Sequence, residues 1–306
     1  MKKILLPILS ILFFTTCLEP PRDNPYDPYN QAYFAGTAYD HNGNPLEGAH
    51  VELKYDHEIK YETVTISSGW YEFPEVIART YTVVAEAEYY STLYIDNVDI
   101  PLSSNIDTFD LYFDELYFDF DNEALGTQNP VGFLSLVGTW QIQADPTEPD
   151  EHSTPNVYNA LHTAASESFA LSVFRDTLTD FWFGVNIKVL SGSSPWNAGI
   201  ALRYQNADNY YLVQFMTTGL TLTKIENGTA IQLAFDNTYT FSTDHWYRVS
   251  AYLYDNNIKI YLDYEELFEI QDNSSPFYTG VAGLWLHTSE PTGSATANFD
   301  DVHIWP

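Results

Sequence analysis

The chain has 306 residues, with 42 Asp and Glu against 12 Lys and Arg, so its formal net charge is −30. This acidity excludes nucleic acid as a partner, because phosphate binding requires clustered basic side chains, and it argues against attraction to an anionic lipid surface. The length suits two domains, and an aromatic content of 16% is typical of strand-rich folds.

The first residues have the build of an export signal. Lys2 and Lys3 precede an apolar run from Ile4 to Phe14. That run is too short to cross a bilayer, which takes roughly 20 apolar residues. We therefore predict a signal peptide at residues 1–16 and an exported protein.

Cys17 is the single cysteine of the chain, so it has no second cysteine to pair with in a disulfide. The sequence Phe14-Thr15-Thr16-Cys17 resembles the lipobox of bacterial lipoproteins. That resemblance implies that Cys17 carries a lipid and anchors the protein in the bacterial cell envelope, at the outer membrane or cell surface. The alternative is an ordinary secretory signal that contains a cysteine. The proline-rich residues 17–31 are predicted to form an extended tether.

Residues 32–113 are predicted to form a small β-sandwich, because short runs of β-branched and aromatic residues alternate with turn signals. This unit opens with the pattern Gly36-x-Ala38-x-Asp40-x-x-Gly43-x-Pro45-Leu46-x-Gly48-Ala49-x-Val51-x-Leu53. The pattern resembles the carboxypeptidase regulatory-like domains, which have a transthyretin-type fold. The resemblance implies a structural spacer and no catalysis.

Residues 114–306 are predicted to form a second all-β unit, a jelly roll of two packed sheets, because strand signals continue and no long helical stripe occurs. Its characteristic stretches are Gly199-Ile200-Ala201-Leu202-Arg203 with Asp208-Asn209-Tyr210-Tyr211, Trp246-Tyr247-Arg248 with Ile258-x-Ile260-Tyr261-Leu262-Asp263, and Phe299-Asp300-Asp301-Val302. These stretches resemble concanavalin A-like, laminin-G-like modules. Such modules are appended to, or related to, glycan-active proteins.

The resemblance also indicates where catalytic carboxylates would stand. Glucanases of this fold carry alternating acids on one strand, which serve as acid and nucleophile about 5 Å apart. The nearest stretch here contains Asp263, Glu265 and Glu269, but Leu267 interrupts it and it spans a predicted turn. We therefore predict a non-catalytic protein, with a glycoside hydrolase or polysaccharide lyase as the alternative.

A structural Ca²⁺ between the first and last strands is a further implication of the resemblance. Asp121 and Asp300 match the acids of the opening and closing Phe-Asp pairs. Carboxylate and carbonyl oxygens are the ligands that Ca²⁺ selects. The alternative is a solvated acidic edge, which such an acidic chain would carry in any case.

Three residues are candidates for ligand binding. Trp196 follows a turn-rich run and is expected in a loop, where its ring could stack on a sugar. Arg203 interrupts an apolar strand, which suggests a polar sheet face, although a buried ion pair is an equal alternative. Tyr211 lies on the next strand.

Together these features predict a lipid-anchored envelope protein whose residues 114–306 bind a carbohydrate or another extracellular ligand. A purely structural or adhesive role is the remaining alternative.

Overall fold

The computed structural model describes residues 31–102, 108–148, 151–165, 168–193 and 195–306. The predicted signal peptide, Cys17 and all but the last residue of the tether lie outside these residues. Export and lipidation therefore stay predictions.

The described residues form strands and no helix, which confirms the predicted all-β class. Accordingly, none of them belongs to a helix that could cross a membrane. The strands are β1 (Gln31–Tyr39), β2 (His50–Tyr55), β3 (Glu58–Val64), β4 (Trp70–Ile77), β5 (Arg79–Glu86), β6 (Leu93–Ile100), β7 (Leu111–Tyr112), β8 (Leu116–Phe118), β9 (Phe133–Val137), β10 (Thr139–Ala144), β11 (Asn156–Thr163), β12 (Ala170–Phe174), β13 (Phe181–Val189), β14 (Trp196–Asn206), β15 (Asn209–Met216), β16 (Gly219–Glu226), β17 (Thr229–Asp236), β18 (Trp246–Tyr254), β19 (Asn257–Leu262), β20 (Glu265–Gln271), β21 (Val281–Thr288) and β22 (Ser294–Trp305).

The first seven strands form a small sandwich of two sheets. One sheet has the order β4-β1-β7 and the other the order β3-β2-β5-β6. Apolar residues at alternate positions point between the sheets, as Val51 and Leu53 do on β2 and Val83 does on β5, and all three are inaccessible to solvent. Their contacts with Phe34 and Phe73 complete one hydrophobic core.

The later strands enclose a second, larger core between two antiparallel sheets. The eight-stranded sheet has the order β10-β11-β22-β13-β18-β19-β20, and its eighth strand is β8, which pairs with β22. The seven-stranded sheet has the order β17-β16-β15-β14-β21-β12-β9. The core extends in sequence from Leu116 to Ile304. Two packed sheets around one core are the layered architecture predicted for this region.

Alternation along β13 decides which side chains reach solvent on the first of these sheets. Phe181, Phe183 and Val185 are buried in the core. Trp182 and Gly184 therefore lie on the outer face, because successive side chains of a strand point to opposite sides. This outer face carries the candidate site described below.

Candidate functional site

Trp196 is a core residue, which corrects its prediction as an exposed loop platform. It begins β14 and is only 3% exposed. Its ring meets the ring of Phe215 edge-on, with centroids 5.7 Å apart. A ring enclosed in this way cannot stack on a sugar.

Arg203 is also unavailable to a ligand, because it is fully buried. Its guanidinium donates hydrogen bonds to the backbone carbonyls of Thr179, Asp255 and Phe277 at 2.6–3.0 Å. The carboxylate of Asp180 lies 3.4 Å away. Burial lowers the pKa of Arg203 from its usual value. The buried alternative is therefore correct, although backbone carbonyls and not an acid supply most of the partners.

Tyr211 has a similar structural role. Its hydroxyl donates to Asp272 Oδ2 at 2.7 Å and accepts a hydrogen bond from the Phe277 N–H at 3.0 Å. The Lys224 ammonium lies 3.0 Å from the same Asp272 oxygen. Tyr211 is inaccessible to solvent, so it anchors the loop that precedes β21 and does not face a ligand.

Asp121 and Asp300, the two residues predicted to bind calcium, both contact residues at or just before the start of β11, where protein groups occupy their carboxylates. Asp300 Oδ2 accepts hydrogen bonds from His152 Nδ1 and Ser153 Oγ, each at 2.9 Å, and its Oδ1 accepts one from the backbone N–H of Asp301. Asp121 Oδ1 accepts the Asn156 N–H at 2.9 Å.

A histidine thus occupies the position facing Asp300 where a cation was expected. His152 Nε2 lies 2.6 Å from the carbonyl oxygen of Thr147. Each ring nitrogen thus faces an oxygen, and because burial raises the pKa of Asp300 well above its usual value, His152 and Asp300 share a proton across their contact. Burial opposes a positive charge on His152, but the bonds to Asp300 and Thr147 outweigh it and raise the pKa of His152. Both Asp300 oxygens already accept hydrogen bonds from protein groups, and Asp300 is fully buried, so in this arrangement the pair does not fit Ca²⁺.

Chelation gives a direct check of this arrangement. Because His152 and Ser153 already satisfy Asp300, we expect EGTA to leave the melting temperature of the full chain unchanged within about 1 °C, less than the shift that 1 kcal/mol produces. Differential scanning calorimetry with and without added Ca²⁺ measures this. A melting temperature that falls with EGTA and is recovered on adding Ca²⁺ but not Zn²⁺ would restore the calcium prediction.

The acids considered for catalysis lie at an exposed edge. Asp263 stands in the turn before the edge strand β20, and Glu265 and Glu269 lie on that strand. Glu269 is paired with Lys259 at 3.2 Å and its side chain is 59% exposed. An exposed, ion-paired carboxylate lacks the apolar enclosure that prepares a catalytic acid.

The outer face of the eight-stranded sheet carries a row of aromatic rings that the sequence interpretation missed. Trp182 on β13 is the direct cross-strand partner of Trp305 on β22 and of Tyr252 on β18. Neighbouring strands lie about 4.8 Å apart, so the three residues span roughly 10 Å across the sheet. Trp305 is 58% exposed and Tyr252 is 39% exposed. We call these three residues the aromatic row.

A groove of about 620 Å³ opens over the aromatic row. Glu115, Asp180 and Pro306 also line it. The ring of Tyr261 lies beside the row, with its centroid 5.1 Å from that of Trp182. Large apolar grooves with a few polar groups at the rim are the usual form of ligand sites.

The floor beside Trp182 is kept open by a glycine. A Cβ on Gly184 would lie 2.8 Å from Ser250 Oγ and 2.9 Å from a guanidinium nitrogen of Arg248. It would also lie 3.3 Å from the indole nitrogen of Trp182. Because any larger residue would crowd these groups, glycine lets the indole lie close to the sheet.

Two acidic side chains at the rim of the groove, Asp180 and Glu115, are held in place by neighbouring protein groups. Asp180 Oδ1 accepts the Asp255 N–H at 2.8 Å and lies 3.4 Å from the Arg203 guanidinium. Its Oδ2 has no protein partner in the described part of the chain. Glu115 lies 2.6 Å from His303 Nδ1. Arg203 therefore positions a groove residue from the inside of the sandwich.

A buried ion pair stabilises the outer face of the eight-stranded sheet at the end of β13 away from Trp182. Asp145 Oδ2 lies 2.8 Å from Lys188 Nζ and accepts a hydrogen bond from Asn298. Burial would raise the pKa of Asp145, but the Lys188 ammonium and the bonds from Thr147 lower it to about 2. Since this value is below that of the unfolded chain, the pair stabilises the fold above about pH 4 and loses that effect as the pH falls toward 2.

The unfolding free energy of an Asp145→Asn variant should therefore fall less than that of the wild type as the pH is lowered. Between pH 5 and pH 2 we expect the wild type to lose about 2 kcal/mol more unfolding free energy than the variant. Urea unfolding at each pH, followed by tryptophan fluorescence, measures the difference. Parallel pH profiles for the two proteins would contradict this assignment.

The outer face of the seven-stranded sheet is the other surface available to a ligand, and it is largely closed. Trp285 is only 5% exposed, and its ring is flanked by His287 and Phe169. The indole nitrogen of Trp285 and the hydroxyl of Thr221 are buried without a hydrogen-bond partner. Because a ligand could not reach these groups without movement, the aromatic row is the better candidate.

One part of the chain matches a known family. Residues 34–111 match the family model of the carboxypeptidase regulatory-like domain. This match confirms the resemblance drawn from the Gly36 to Leu53 pattern. No curated protein matches the chain.

Three solved structures illustrate what the chain is similar to. The carbohydrate-binding module CBM66 from Bacillus subtilis is 22% identical, covers 56% of this chain and 93% of its own, and has a TM-score of 0.44. The cellulose-induced protein Cip1 is 15% identical, and the match covers 62% of this chain and 96% of Cip1 with a TM-score of 0.47. The β-glucanase of Bacillus licheniformis is 13% identical, and the match covers 63% of this chain and 98% of the glucanase with a TM-score of 0.45. These values are too low to carry a functional inference.

Proposed function

We propose that this protein binds a carbohydrate in the groove over the aromatic row and does not cleave it. The observation that carries the proposal is the alignment of Trp305, Trp182 and Tyr252 as cross-strand neighbours on a solvent-facing sheet surface. Flat aromatic rings match the apolar C–H faces of sugar rings, and the amphipathic Trp and Tyr combine ring surface with a polar tip. A row of such rings suits an extended chain of sugars.

The acidic residues at the rim of the groove limit which classes of sugar can bind. Glu115 and Asp180 line it, and the whole chain has a formal net charge of −30. Uronic acids and sulfated sugars would be repelled, since like charges brought together at a binding surface cost affinity. Carboxylates also accept hydrogen bonds from sugar hydroxyl groups. The proposed ligand is therefore a neutral polysaccharide or one that carries amino groups.

The proposal places this binding outside the cytoplasm. The leader with Lys2, Lys3 and Cys17 supports export and lipid anchoring in a bacterial cell envelope. The N-terminal sandwich would then act as a spacer between the anchor and the binding face.

A binding screen tests the function. The purified full chain is applied to a glycan array and to affinity gels that contain neutral, amino-bearing or uronate-rich polysaccharides. We expect retardation in neutral or amino-bearing gels, and none in uronate-rich gels. Retention only by acidic polysaccharides, or by none of the panel, would contradict the proposal. Release of soluble sugar by the same sample would favour the hydrolase alternative.

A further inference from the structure

A second group of possible ligands for a metal lies on the N-terminal sandwich. His50 and Glu52 alternate along β2 and therefore share one face of the four-stranded sheet. Glu62 on β3 is the direct cross-strand partner of Glu52. One donor atom from each of these three side chains lies within 4.8 Å of the other two. In the described ranges, this is the one group of three or more His, Cys, Asp or Glu residues that is so compact.

The imidazole of His50 lies between the two carboxylates of the group. His50 Nε2 lies 3.3 Å from Glu62 Oε2, and His50 Nδ1 lies 3.7 Å from Glu52 Oε1. Glu52 is only 8% exposed, and its buried Oε2 accepts no hydrogen bond. The Lys54 ammonium lies 2.8 Å from that oxygen, in an ion pair without hydrogen-bond geometry. Glu52 Oε2 therefore already has a cationic partner at a buried position, and a metal ion bound there would have to displace the Lys54 ammonium.

The charge balance points the same way. Glu86 on β5 stands opposite His50, so it adds a third carboxylate to those of Glu52 and Glu62, while the Lys54 ammonium pairs with Glu52. One ammonium leaves a negative excess that a divalent cation would neutralise.

We propose that His50, Glu52 and Glu62 form a binding site for Zn²⁺. One imidazole nitrogen and two carboxylate oxygens are ligands that zinc accepts, with a fourth position left for water. Ca²⁺ and Mg²⁺ favour all-oxygen ligand sets, so the histidine selects against them. Lys54 competes with the metal, because its ammonium contacts the Glu52 carboxylate. Its side chain is 28% exposed and can turn toward solvent when zinc binds.

Zinc titration of the metal-free full chain, with a chromophoric chelator as competitor, tests the site. We expect the wild type to bind one zinc ion more tightly than any further equivalents. His50→Gln and Glu62→Gln should each weaken that ion at least about tenfold, as expected when a ligand is removed. His57→Asn is the matched control, because His57 lies in the exposed turn after β2 and outside the group. It should bind zinc like the wild type.

Lys54→Met separates a metal site from a structural ion pair. Removing the competing ammonium should tighten zinc binding about tenfold, which corresponds to about 1.4 kcal/mol. Circular dichroism of every variant checks that it is folded. Equal zinc affinity in the wild type and His50→Gln, or weaker zinc binding in a folded Lys54→Met, would overturn the proposal.

Discussion

Replacing Arg203 with leucine is expected to lower the free energy of unfolding by at least about 3 kcal/mol. The guanidinium is fully buried and is a donor to three backbone carbonyls in separate loops. A buried carbonyl that loses its donor costs about 1–3 kcal/mol. Leucine fills part of the space but donates nothing. Urea unfolding of the full chain, followed by tryptophan fluorescence, measures the loss.

Two further substitutions make this result specific. Arg203→Lys keeps the positive charge but cannot reach three loops at once, so we expect it to be less stable than the wild type and more stable than Arg203→Leu. Arg175→Leu is the control, because Arg175 is exposed and its side chain makes one hydrogen bond, to the Phe133 carbonyl. It should cost less than about 1 kcal/mol. An Arg203→Leu protein as stable as the control would refute the anchoring role.

Replacing Trp182 with alanine is expected to weaken carbohydrate binding about 30-fold. Trp182 is the central ring of the aromatic row, with Trp305 on one side and Tyr252 on the other. Central aromatic anchors of binding surfaces contribute about 2 kcal/mol or more, which corresponds to that change in affinity. Isothermal titration calorimetry with the best polysaccharide from the binding screen measures the effect.

Matched variants locate the surface. Trp305→Ala should also weaken binding, while Tyr94→Ala should not, because Tyr94 is 69% exposed but lies on the N-terminal sandwich. Gln214→Ala probes the outer face of the seven-stranded sheet and should bind like the wild type. Loss of affinity in Gln214→Ala with full affinity in Trp182→Ala would move the site to that opposite face.

Alternation explains how much of the fold could be predicted. Inward residues such as Phe181, Phe183 and Val185 recur at every second position, so strand, face and all-β class follow from the pattern. The same rule places Trp196 in register with Ala198 and Ile200, both of which are in the core. The preceding turn residues suggested a loop, but the parity was the stronger signal.

Arg203 shows what the pattern could not reveal. The pairing of β14 shifts after Leu202 on the β15 side and after Ala201 on the β21 side, and Arg203 has a φ of +46°. Such a bulge re-aims a side chain. A local backbone irregularity depends on the strands beside it, so a rule of period two in one strand cannot anticipate it.

Only part of the aromatic row could be predicted from the sequence. Trp182 alternates with core residues of β13, which predicts an outward ring. Its alignment with Tyr252 and Trp305 depends on the register of three strands that lie far apart in the chain. Likewise, the pairing of Asp300 with His152 joins residues 148 positions apart. Such long-range pairings come from the tertiary fold.

A crystal structure of the full chain with a bound neutral oligosaccharide tests the central claim most directly. We expect sugar rings stacked on Trp182 and Trp305, with hydroxyl groups hydrogen-bonded to Asp180 or Glu115. An oligosaccharide bound on the outer face of the seven-stranded sheet, with the aromatic row left open to solvent, would contradict it.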